Sequence, residues 1–113
     1  MSSLYEMLNR IKKRPAMYLG KNSIFSLQAF LAGYNGAKRE MGLVATEQEQ
    51  EFEDFLGWIR KRFNVETNQS WASIILFYSA DENKALDTFF ELFDEFLSQR
   101  KNLELENKFE LLI

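Results

Sequence analysis

One proline, Pro15, and five glycines are all that interrupt a run of 113 residues. Tight turns draw on the fixed φ of proline and the positive φ of glycine, so a strand-and-turn architecture needs many more of both. Sparse punctuation of this kind points to long helices joined by short loops. The apolar spacing agrees. Leu4, Met7, Leu8 and Ile11 recur at the interval of a one-sided helix over residues 4–13. Ser2 or Ser3 can cap that helix, Lys12, Lys13 and Arg14 complement the dipole at its end, and Pro15 stops it.

Ala16-Met17-Tyr18-Leu19-Gly20 reads as a compact apolar connector. Ser23 then opens a second helix carried by Leu27, Phe30, Leu31 and Tyr34, closing near Met41 with Gly42 as its cap. Gly33 and Gly36 sit inside it at a cost of about 1 kcal/mol each relative to alanine. A close helix crossing would account for them. Thr46-Glu47-Gln48-Glu49 has the form of a capping box, and the helix it opens carries Phe52, Phe55, Leu56, Ile59 and Phe63 on one face. A last long helix is expected over residues 82–100, capped by Ser79 or Asp81, with Leu86, Phe89, Phe90, Phe93, Phe96 and Leu97 as its stripe.

Two segments are ambiguous. The apolar run Ile74-Ile75-Leu76-Phe77-Tyr78 suits a buried helix or a buried strand, and periodicity does not separate them. In the tail Leu103, Leu105, Phe109, Leu111 and Ile113 fall on alternate positions, as they would in a strand. Helix is favoured for residues 71–78 because the neighbours are helical, with a short strand pair between residues 74–78 and the tail as the alternative. The expectation is a single all-α domain over residues 1–113, a bundle of about five helices around a core rich in phenylalanine. Trp71 is expected in that core, and Trp58 at its partly exposed edge.

Eleven of the residues are phenylalanine and 46% are hydrophobic, enough for one unstapled core and too much for a disordered chain. There is neither cysteine nor histidine, which removes disulfides, thiolate chemistry, imidazole bases, zinc sites and haem ligation together. No other catalytic constellation is evident, so a non-enzyme with no cofactor is expected. The N-terminus lacks a basic stretch leading into an apolar one, and no apolar run approaches the ~20 residues of a membrane span. A cytoplasmic protein without membrane contact is the expectation.

The net charge of −3 hides a strong asymmetry. Residues 1–41 carry seven basic and two acidic side chains, and residues 81–113 carry nine acidic and four basic ones. Arg10, Lys12, Lys13 and Arg14 could meet phosphates, but a nucleic-acid binder usually has a basic overall balance and aromatics among its cations, so no nucleic-acid partner is expected. Acidic residues offer more. Asp87, Glu91, Asp94 and Glu95 form one ridge, and Glu47, Glu49, Glu51 and Asp54 a second cluster. Both have the make-up of an ordinary solvent face, and neither has the spacing of a metal site. Either could also meet a basic partner, where complementary charge speeds encounter and fixes orientation.

Two resemblances bear on function. Arg14-Pro15-Ala16-Met17-Tyr18-Leu19-Gly20 is similar to a stretch near the start of gyrase B-type ATPase domains. Those domains also need an Asp-x-Gly-x-Gly turn, which does not occur here, so ATPase activity is rejected. The second resemblance spans most of the chain: the same Arg-Pro-x-Met-Tyr-Leu-Gly, then Ser26-Leu27-x-Ala29-Phe30-Leu31-x-Gly33-Tyr34, Ser70-Trp71-Ala72, and Phe89-Phe90-x-Leu92-Phe93-x-x-Phe96. In this order the motifs resemble a set of small bacterial proteins, some of them immunity proteins paired with contact-dependent growth inhibition and other polymorphic toxins. The resemblance implies an immunity protein that binds its cognate toxin's C-terminal domain and blocks the active site. A basic toxin domain, such as a nuclease, would suit the acidic clusters. The alternative is a non-catalytic homodimeric adaptor or regulatory protein, working through an exposed aromatic patch.

Overall fold

The computed structural model describes residues 3–112. Among them are six helices and no strand: α1 (Leu4–Lys13), α2 (Pro15–Leu19), α3 (Ile24–Glu40), α4 (Glu47–Arg62), α5 (Trp71–Phe77) and α6 (Glu82–Leu112). The helical fold class therefore stands, with one helix more than expected.

Local chemistry explains most of the boundaries. Ser3, Ser23, Thr46 and Ser70 each turn a side-chain oxygen onto a backbone N–H in the first turn of the helix they precede, satisfying a donor that has no partner within the helix. Ser2, the other candidate cap for α1, lies outside the described residues. At Thr46 the capping box is complete: Thr46 accepts from the Glu49 N–H, and the Glu49 carboxylate accepts from the Thr46 N–H at 2.7 Å. Asp81, rather than Ser79, opens α6 by accepting from the Lys84 N–H at 2.8 Å. The expected connector after α1 is instead the single-turn helix α2. Pro15 stops α1 and also starts α2, because its fixed φ suits the first helical position. Gly20 ends α2 at φ +83°, a left-handed conformation open to glycine at no steric cost.

The strand pair is corrected on both sides. Residues 71–77 form α5, capped by Ser70, with Ala72, Ile74 and Ile75 buried. The helix packs against α3, α4 and α6, so it can be apolar on several faces. The tail continues α6 to Leu112 without a break, and Ile113 lies outside the described residues. Gly33 and Gly36 also differ from expectation. A Cβ built on either would meet nothing within 4 Å, so no close helix crossing accounts for them.

The core is aromatic and centred on Phe55, which is fully buried. Its ring centroid lies 5.5 Å from Phe89, 5.0 Å from Phe93 and 5.4 Å from Phe96. Edge and tilted contacts of this kind suit the ring quadrupole better than face-to-face stacking. Leu8 and Ile11 from α1 and Ile24, Leu27 and Leu31 from α3 complete the same cluster. Trp58 and Trp71 are partly buried at its edge. Trp71 lies 5.3 Å from Phe89.

The bundle does not cover all of α6. Every residue from 101 to 112 is exposed, so the distal third of the helix stands clear of the core. The radius of gyration is 15.5 Å, against about 13 Å for a compact chain of this length. No helix among the described residues is long and apolar enough to cross a membrane.

Candidate interaction surface

The eight carboxylates singled out in the sequence have different fates. Glu49 turns inward. It is only 8% exposed, and its two oxygens take the Lys38 ammonium at 2.5 and 2.6 Å, the Thr46 N–H, and the Tyr34 hydroxyl at 2.8 Å. Burial raises its pKa, but these donors together outweigh that and pull it down to about 2. The same pairing, with burial the larger cause, pushes Tyr34 up to about 12. Glu49 is thus a structural anchor between α3 and α4, and its carboxylate is not offered to a partner.

Glu51 and Asp54 are also engaged. Arg100 reaches back from α6 to Glu51 at 3.4 Å and Asp54 at 2.8 Å, while the Tyr5 hydroxyl donates to Glu51 at 2.5 Å. Burial and this hydrogen bond to a carboxylate both raise the Tyr5 pKa. The hydrogen bond to Asp54, against partial desolvation, raises that of Arg100. Only Glu47 of this cluster is exposed without an ion-pair partner among the described residues. Glu53, left out of the sequence-based set, is equally open.

On α6, Glu95 meets Arg62 at 3.5 Å and Asp94 meets Lys12 at 3.3 Å. Asp87 and Glu91 are exposed and have no ion-pair partner among the described residues. Three of the four ridge residues come together. Asp87, Glu91 and Asp94 line a groove of about 310 Å³ between α6 and the start of α2, with Leu86, Phe90 and Pro15 as its apolar lining and Lys12 as the single cation lining it among the described residues. Among the described residues no group of three or more carboxylates is placed to hold a metal ion. The groove offers long-range attraction for cations together with an apolar surface for aliphatic stems.

Sequence reasoning missed the part that Lys12, Pro15 and Phe90 play in this groove. Lys12 and Pro15 are separated from Glu91 by most of the chain, so only the packed fold brings them there. Part of the charge asymmetry is spent within the molecule: of the seven basic side chains of residues 1–41, Lys12 and Lys38 are paired with acids of α6 and α4.

A second surface is aromatic. Phe77 and Tyr78, at the end of α5, are 75% and 58% exposed. Tyr78 stacks on Phe63 with ring centroids 4.8 Å apart, and Arg62 lies over the Phe63 ring.

Comparison with known proteins adds no name to this geometry: no family model, curated protein or solved structure matches the chain.

Proposed function

We propose that this protein is an immunity protein that binds a basic toxin domain, a nuclease being the best fit, and neutralises it by covering its active site. The observation that carries the reading is the α6 groove, where Asp87, Glu91 and Asp94 outnumber Lys12, the one cation lining it among the described residues. A lysine or arginine of the partner can lay its stem along Pro15 and Phe90 and bring its head among the carboxylates. Such a site favours fast, oriented encounter with a positively charged surface. The family resemblance of the sequence supplies the toxin as that partner. Glu47 is the one member of the α4 cluster left open for the same role.

A pull-down with the tagged protein from its native host, at low and then moderate salt and read by mass spectrometry, tests this. The expected catch is the C-terminal domain of a large secreted protein, lost as salt rises. Joint reversal of Asp87→Lys and Glu91→Lys should weaken that complex by about tenfold or more, since several close charge pairs change sign. Capture without any effect of the reversals would overturn the surface. Capture of nothing but the protein itself would overturn the immunity reading.

The second reading, a homodimeric adaptor, is favoured by the exposed Phe77 and Tyr78, the latter stacked on the half-buried Phe63. Loss of self-association in Phe77→Ser would support it.

A further inference from the structure

Beyond Arg100 the helix α6 runs on for residues 101–112 with every side chain exposed. As a continuation of α6 this segment carries no new nucleation cost. With no packing against the bundle, however, it is held by helix propensity alone, the weaker part of helical stability in proteins. Its apolar side chains add a second difficulty. Leu105, Phe109 and Leu112 are 55%, 66% and 86% exposed.

Their spacing is four and then three, and one step of three further back lies Asn102. These four residues therefore hold successive a and d positions of a heptad, with Asn102 and Phe109 at a and Leu105 and Leu112 at d. In this register Lys101 and Lys108 fall at g, and Glu106 falls at e. We infer that the distal third of α6 pairs with the same segment of a second copy, as a short parallel two-stranded coiled coil.

Charge selects both the partner and the orientation. In a parallel pair, Lys101 at g faces Glu106 at e of the other copy, and the twofold axis repeats the contact on the opposite side. An antiparallel pair would instead set lysines at g against each other and the two Glu106 side chains against each other. Asn102 adds to the selection, because a polar residue at a pairs with its own copy only in the parallel, in-register dimer. Upstream the same positions hold Glu91, Glu95 and Ser98, where carboxylates from two copies would repel. The coil therefore begins at Asn102, and the two bundles splay apart from there. The α6 groove lies on the bundle side of this point, so the pairing stands independently of the proposed function.

Sedimentation equilibrium of the full chain, from low micromolar to millimolar concentration, tests the pairing. The expected result is a reversible monomer–dimer equilibrium. Phe109→Glu should raise the dissociation constant by about tenfold or more, while Phe77→Ser leaves it unchanged. Lys101→Glu and Glu106→Lys should each weaken the dimer, and combining them in one chain should restore it. All four positions are exposed, so unchanged thermal unfolding of the monomer shows that each variant is still folded. A monomer at every concentration would overturn the inference. So would a dimer that survives Phe109→Glu, one lost in Phe77→Ser, or failure of the double exchange to restore pairing. Association with a different protein in place of self-association would likewise overturn it.

Discussion

Lys38, near the end of α3, and Glu49, in the first turn of α4, meet at 2.5 Å with little of either side chain exposed. The contact closes the loop between the two helices, and the carboxylate also completes the cap of α4. Glu49→Gln leaves the ammonium without its counter-charge and weakens the cap at once. A loss of about 3 kcal/mol is expected, toward the lower end for breaking a buried pair because Lys38 keeps some contact with water. Urea denaturation at neutral pH measures it.

The same carboxylate gives the fold an acid-sensitive element. Its pKa is about 2 in the folded protein against an ordinary 4.5, so the folded state favours the charged form. That stabilisation is fully present above about pH 5 and fades as pH falls toward 2, with a total on the order of 3 kcal/mol. Unfolding free energy measured from pH 6 to pH 2 should decline over that window. In Glu49→Gln the decline should be shallower by a similar amount.

Core packing gives a sharper test of the aromatic centre. Phe55→Ala removes a fully buried ring in contact with Phe89, Phe93 and Phe96 and should cost about 3–5 kcal/mol. Phe77→Ala, at an exposed ring, should change stability by no more than about 0.5 kcal/mol. Chemical denaturation of the two variants side by side separates core aromatics from surface ones.

Gly33 offers a gain. It lies inside α3 with open space where a Cβ would stand. Gly33→Ala should therefore stabilise the fold by up to about 1 kcal/mol, through helix propensity and a less flexible unfolded chain. A rise in melting temperature checks it, and a fall would mean that the space beside Gly33 is not open to a methyl group.

Helix starts were the most legible part of the fold. Ser23, Thr46 and Asp81 act as caps because capping is local chemistry, readable from a few adjacent residues. The tail was harder for a reason that is also local. Leu103, Leu105, Phe109 and Leu111 alternate like a strand, yet Leu105, Phe109 and Leu112 also keep helical spacing, and short windows satisfy both periods. The candidate site was only half legible. Helical spacing alone puts Asp87, Glu91 and Asp94 on one ridge, whereas the inward turn of Glu49 depends on Lys38 and Tyr34, which a linear pattern does not place.

The ion pair between Lys12 and Asp94 joins positions 82 residues apart in the chain. During synthesis the cationic N-terminal segment leaves the ribosome well before α6, so this partner is absent while α1 to α5 emerge. Residues 1–80 carry ten basic and eight acidic side chains, and Lys12 gains its counter-charge only when Asp94 follows. Interruption of translation before α6 would leave a fragment without Phe89, Phe90, Phe93 and Phe96 of its core and with Lys12 deprived of its partner, a natural substrate for chaperones and proteases.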